Sequence, residues 1–129
     1  MMKYLQLVAL LLLLPFVLAA QAKIDEPALK ALLAKDKAVV VLDVRTLDEY
    51  VAGHLEVAKL LPYDAIDAKS AAQVVPKKAT TVVVYCHSGR RSALAAQTLK
   101  ELGYTNVLDI GGLANWKGKL ATGAPAKAR

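Results

Sequence analysis

Only one cysteine, Cys86, occurs in the 129 residues of the chain. A disulfide within the chain is therefore excluded. So is a dithiol redox pair, because no second thiol exists to resolve a mixed disulfide. Aromatic residues are scarce, at 5 % of the chain, and the 17 Lys and Arg residues are scattered along it. Nucleic-acid surfaces gather their basic residues on one face, so no nucleic-acid partner is expected. Acidic residues are absent from residues 1–22.

That last absence frames the N-terminus. Lys3 precedes a run from Leu5 to Ala20 that is apolar apart from Gln6, and Ala20-Gln21-Ala22 then offers a small-x-small cleavage site. This is the layout of a secretory signal peptide, and residues 1–22 are expected to be removed. The rival is a retained membrane anchor, since the run is near the lower limit of about 17–25 residues that span a bilayer. Pro15 and the Ala-x-Ala triplet favour cleavage, which implies a periplasmic or secreted protein with no stable membrane association. Cleavage leaves 107 of the 129 residues, and the formal net charge falls from +6 to +5 because only Lys3 is lost. That length suits one domain, expected over residues 23–120, with a loose, small and basic tail over 121–129. The mild positive charge suits small anionic partners.

Local patterns place the elements. Ile24-Asp25-Glu26-Pro27 starts a helix over about residues 26–35, with Leu29, Leu32 and Leu33 on its apolar face. Val39–Val44 is a short β-branched run, expected as a strand buried on both faces, with Asp43 and Arg45 at its carboxyl end. Thr46-Leu47-Asp48-Glu49 is a capping box opening a helix that reaches about Gly53. Leu60-Leu61-Pro62 predicts a brief strand, and residues 64–75 predict one helix ended by Pro76. Thr80–Tyr85 is the strongest strand in the sequence. Ser92–Leu102 predicts a helix closed by Gly103. Asn106–Ile110 predicts a final strand, Gly111-Gly112 a turn, and Leu113–Trp116 a short closing helix. Alternating strands and helices imply an α/β fold with a mainly parallel sheet covered on both faces.

A lone cysteine is, taken at random, a small buried hydrophobe. The surroundings of Cys86 point elsewhere. It follows a strand directly, and open α/β sheets form their sites just outside the carboxyl ends of their strands. The helix starting near Arg91 turns its free N–H groups and positive dipole end towards the loop Cys86-His87-Ser88-Gly89-Arg90-Arg91-Ser92. Such a setting, with adjacent arginines, lowers a thiol pKa and makes the sulfur nucleophilic. Gly89 allows the tight bend that converges several N–H groups.

The pattern Cys-x-x-Gly-x-Arg-Ser resembles the active loop of the rhodanese family. Leu42-Asp43-Val44-Arg45, Glu49-Tyr50, Gly53-His54-Leu55 and Pro62 resemble the family's first signature, and Gly111-Gly112-Leu113 with Trp116 its closing one. Val57 and Leu60 depart from that first signature. The resemblance spans about residues 38–118. It implies the rhodanese-like three-layer fold and a sulfurtransferase working by a ping-pong reaction without metal or organic cofactor. Cys86 would take a sulfane sulfur from a small anionic donor such as thiosulfate and pass it to a thiophilic acceptor. By the same resemblance His87, Ser88, Gly89, Arg90 and Arg91 form the substrate cradle, with Arg91 supporting the loop or attracting anions. Asp43, Arg45 and Ser92 are expected to support the site, and His54 to make a structural hydrogen bond in its turn. Tyr50 and Trp116 are expected in the core, Trp116 near the pocket wall.

Two other classes compete. A cysteine phosphatase needs an arginine six positions after its nucleophile, and that position is Ser92. A persulfide carrier or rhodanese-like binding module serving a protein sulfur acceptor keeps every feature of the loop. The sequence alone does not separate it from a free-standing enzyme.

Overall fold

The structure, a computed structural model, describes residues 23–126. The expected signal peptide, residues 1–22, lies outside the described residues. Asp25 caps helix α1 (Glu26–Lys35), its side chain accepting the N–H of Ala28 with Pro27 in the first turn. Strand β1 (Val40–Asp43) follows. Helix α2 (Leu47–Ala52) opens with the capping box foreseen at Thr46 and Glu49 and stops at Gly53. Strand β2 is two residues long, Lys59–Leu60, and sits one position earlier than its apolar sequence suggests.

The helix expected over 64–75 is split. Tyr63–Ala65 forms a 3₁₀ turn and α3 covers only Ala68–Val74. Asp67 breaks the run because its side chain caps the Ser70 N–H and Ser70 caps back. Strand β3 (Val82–Cys86) leads through three residues into α4 (Arg90–Glu101), which begins two residues before the expected Ser92. Gly103 adopts φ +98° just past the helix end, as a C-terminal cap requires.

The four strands form one parallel sheet in the order β2-β1-β3-β4, where β4 is Val107–Gly112. Gly111-Gly112, expected as a turn, therefore belong to a strand, and a 3₁₀ turn at Leu113–Asn115 follows. One sheet face packs Leu42, Val82, Val84, Cys86 and Val107 with Ala95, Ala96 and Leu99 of α4 and Ala71 of α3. The other packs Val41, Val83 and Tyr85 with Leu29 of α1 and Tyr50 of α2. The result is the expected α/β architecture of three layers. Strand β3 is central, and all five of its residues are buried.

A tail loose from Ala121 is not what the structure shows. Ala121 and His54 exchange backbone hydrogen bonds at 2.8 and 2.9 Å, and the Gly123 N–H reaches Val51 O at 2.9 Å. Backbone pairing of this kind leaves no sequence signature in a small-residue tail. His54 itself is structural, as expected: Nδ1 lies 2.7 Å from Tyr50 O and its ring stacks on Tyr50.

At the carboxyl end of the sheet, a buried network ties β1 to β3. Arg45 places Nη2 2.6 Å from Asp43 Oδ2 and donates from the same nitrogen to Gly53 O at 2.6 Å. Tyr85 donates its hydroxyl to Asp43 Oδ2 at 2.7 Å and accepts the N–H of Leu55 at 3.1 Å. Burial pushes the Tyr85 phenol far up, and the Asp43 carboxylate adds to that shift, so the hydroxyl stays a donor. Removing one partner strands a buried charge at a cost of about 3–5 kcal/mol. Arg45→Met is therefore expected to lower unfolding free energy by about that amount in urea titration. A loss below about 1 kcal/mol, the level of an exposed pair, would show that the network is not holding the strands.

Candidate active site

Residues upstream and downstream of Cys86 make opposite demands. Strand β3 needs extended backbone and burial, whereas α4 must start almost at once. Gly89 meets both by adopting φ +101° as the N-cap of α4, a conformation that side chains resist. The bend turns the Gly89 N–H onto the Cys86 sulfur, with nitrogen 3.0 Å from Sγ. Ser92, one turn into α4, brings Oγ to 3.5 Å from the same sulfur and 3.1 Å from Gly89 O. While the sulfur carries a proton, the thiol donates to Ser92, which donates to Gly89 O. Once the proton leaves, the Ser92 hydroxyl can turn and donate to the thiolate.

Burial pushes the Cys86 thiol up, but hydrogen bonds from the Ser92 hydroxyl and from the N–H groups of Ser92, Gly89 and Ser88 outweigh it. The thiol ends below its ordinary value. The sequence expectation of a depressed value agrees with this, but the cause is placed differently. The arginines were expected to help, whereas the backbone and Ser92 lead.

Arg91 shows why. Its Nη1 and Nη2 donate to the two carboxylate oxygens of Glu49 at 2.7 and 2.9 Å, a bidentate pair joining α4 to α2. The Arg91 hydrogen bond holds the Glu49 carboxyl well below the usual range, at about 2. Of the two roles foreseen for Arg91, loop support is the one its geometry serves. Sequence gives Glu49 only its cap and its place in the first signature, because no local pattern links it to a residue 42 positions away.

The other cradle residues divide by exposure. His87, Ser88 and Arg90 are exposed, Gly89 is half-buried, and Ser92 is buried. Cys86 itself is 0 % exposed, so the loop closes over the sulfur. Beside the loop is a shallow cavity of about 440 Å³ lined by Arg45, Glu49, Ala52, Gly53 and His87. Arg45 thus lies at the rim of the site, with Asp43 behind it on the Arg45 guanidinium. Tyr50 is buried as expected, and Trp116, half-buried, packs against the same core cluster while lining a separate cavity with Glu26, Pro27 and Lys30 of α1.

Comparison with known proteins agrees with this geometry. PspE of Escherichia coli K12, named a thiosulfate sulfurtransferase, is 40 % identical over 72 residues, covering 56 % of this chain and 68 % of its own. YrkF of Bacillus subtilis 168, named as a candidate sulfur carrier, is 32 % identical over 98 residues, 75 % of this chain, which spans about half (51 %) of that protein. A solved structure described as a rhodanese with anions from E. coli superposes with a TM-score of 0.60 at 37 % identity, covering 67 % of this chain and all (100 %) of its own. The family model described as a rhodanese-like domain matches residues 26–119, and the chain belongs to that family.

Proposed function

We propose that the protein is a sulfurtransferase of the thiosulfate type that carries sulfane sulfur as a persulfide on Cys86. The observation that carries this reading is a buried sulfur at the end of the central strand receiving the Gly89 N–H at 3.0 Å, under the first turn of α4. In the first half-reaction the Cys86 thiolate attacks the outer sulfur of thiosulfate. A new S–S bond forms while the old one breaks, and sulfite leaves with the electron pair. In the second, cyanide or a thiolate attacks the outer sulfur of the persulfide and releases the Cys86 thiolate. The loop amides serve as fixed donors to negative charge on sulfur in both halves. His87, Ser88 and Arg90 face the donor, and Gly89 shapes the cradle. Arg91, Ser92, Asp43 and Arg45 hold it in place.

Full burial of Cys86 suits a one-atom cargo. A bulky or tetrahedral group would have to displace the loop, whereas one sulfur needs little room. The same burial, with the likeness to YrkF, favours a second reading in which a partner protein is the acceptor and the chain acts as a persulfide carrier.

Intact-mass measurement after thiosulfate treatment is expected to show one added sulfur on the wild type and none on Cys86→Ser. A folded wild type without the adduct sinks both readings. If the adduct forms and cyanide then turns over, the enzyme reading stands; loading with negligible turnover selects the carrier.

The lowered Cys86 thiol sets the pH dependence. The reactive form is the deprotonated one, so the loading rate is expected to rise with pH and level off above a midpoint below about 8.5, the free-thiol value. A stopped-flow pH series with a midpoint at or above that value would contradict the reading.

Export is part of the proposal. Lys3, the apolar run to Ala20 and the Ala20-Gln21-Ala22 triplet support cleavage by a signal peptidase. N-terminal sequencing of the protein recovered from outside the cytoplasm should begin at Lys23. A start at Met1 in the membrane fraction would instead select the anchor.

A further inference from the structure

Asp109 is the one buried carboxylate that the sulfur chemistry leaves unused among the described residues. It is 1 % exposed on the edge strand β4 and pairs with Val84, whose side chain packs in the same core as Cys86 and α4. In a parallel sheet, paired residues point to the same side. Asp109 therefore stands on the Cys86 face of the sheet, where an apolar residue is the stable choice. Its Oδ2 is buried without a hydrogen-bond partner, a defect that ordinarily costs about 1–3 kcal/mol and more for a charged group.

What the carboxylate does make is one short bond. The Gly111 N–H donates to Oδ1 at 2.7 Å. That bond spans a bulge: Val84 pairs with Asp109 but Tyr85 pairs with Gly111, leaving Ile110 as the extra residue. Bulges commonly re-aim a chain beside a site. This one requires φ +84° at Gly111 and delivers Gly112 directly beneath the active loop. A Cβ on Gly112 would lie 2.0 Å from His87 O and 2.9 Å from Ser88 Cα, and a Cβ on Gly89 would lie 3.7 Å from Gly111 Cα. The Ala114 N–H, just beyond, reaches His87 O at 3.3 Å.

We propose that Asp109 is a positioning residue for the Cys86 loop: its Oδ1 fixes the β4 bulge at the height where Gly112 supports His87 and Ser88 and keeps the loop amides on the sulfur. The role rests on Cys86 as the sulfur-carrying nucleophile. An unsatisfied oxygen is retained because the acceptor beside it sets loop geometry that packing alone would not.

Two substitutions separate geometry from stability. Asp109→Asn keeps an acceptor for Gly111 and removes the charge. Asp109→Leu removes both and fills the core. Cys86 alkylation by iodoacetamide, followed against pH and expressed relative to each variant's own high-pH plateau so that differences in access to the buried sulfur cancel, reads the loop amides without any sulfur donor, and the melting temperature is followed beside it. The Leu variant is expected to melt at or above the wild-type temperature yet alkylate roughly tenfold more slowly at neutral pH, equivalent to an upward shift of about one unit in the thiolate midpoint. The Asn variant is expected within about twofold of wild type, as the direct effect of one removed charge would be small beside a lost amide.

The sign discriminates as well. Removing a negative charge near a thiol lowers its midpoint, so an upward shift reports displaced amides. The other titratable or charged side chains around the loop are the Arg91–Glu49 pair from α4 and α2, the Asp43–Arg45 pair at the carboxyl end of β1, and the exposed His87 and Arg90. All are common to every variant. If Asp109→Leu fails to fold, Asp109→Ala takes its place with the same expected slowing. A folded Leu or Ala variant that alkylates like wild type overturns the proposal, and so does an Asn variant that slows as much as Leu. If the alkylation pattern holds while thiosulfate loads no variant, wild type included, the positioning role stands and the sulfur-transfer reading falls.

Discussion

Three residues separate the end of a fully buried strand from the start of a helix, and that short connection constrains the rest of the site. His87, Ser88 and Gly89 must reverse the chain direction and return it along the sheet within that span. Only a left-handed residue at the third position does so without strain, and Gly89 at φ +101° supplies it. The bend does not merely join β3 to α4. It is what turns the Gly89 N–H inward and stacks the Ser92 hydroxyl over Cys86, so strand placement, helix start and sulfur environment come from one conformational choice. Anything that moves the loop by a fraction of an ångström changes all three together.

Because the donors to sulfur are mostly backbone, the nearby cations are freed for structural work. Arg45 is closed onto Asp43 and Gly53 O, and Arg91 onto Glu49. Both pairs fasten neighbouring elements at the sheet's carboxyl end: the first holds β1 and the turn after α2, the second holds α2 against α4. Fixed amide dipoles in a dry pocket act on charge without reorganising, whereas an exposed guanidinium is screened by salt and must be ordered at an entropic cost. Stabilisation of negative charge on the Cys86 sulfur thus resides in geometry more than in net charge.

Much of this was legible where the determining contacts are local. The Asp25 cap, the Thr46–Glu49 capping box, the β-branched β3 run and the Gly103 cap are written within four residues of where they act. The cysteine loop is similarly local, and its strand-loop-helix setting followed from Val82–Tyr85, Gly89 and the helix formers after Ser92. What escaped depends on partners far along the chain. Glu49 finds Arg91 at a separation of 42 residues, Tyr85 finds Asp43 at the same separation, and His54 finds Ala121 across 67 positions. Gly111-Gly112 reads as a turn by local rules, yet pairing with Tyr85 and Cys86 holds it in the sheet. Tertiary pairing overrides local preference there. The helix expected over 64–75 is instead cut short by a local contact, the Asp67–Ser70 capping box, which competes with helix continuation from within the run itself.

Burial of Cys86 then has a mechanistic consequence for the proposed persulfide form. A persulfide extends the side chain by one sulfur about 2.0 Å beyond Sγ, into the space that His87 to Gly89 now close over. The amides already directed at Sγ are the nearest donors to that outer atom, and their convergence stabilises the negative charge it carries. In that form the same loop would shield the outer sulfur from water, and an acceptor would approach along the exposed side marked by His87 and Arg90. The floor below leaves no room even for a side-chain carbon, because a Cβ on Gly112 would lie 2.0 Å from His87 O. Expansion for the extra atom must therefore go outward, towards solvent and the incoming acceptor.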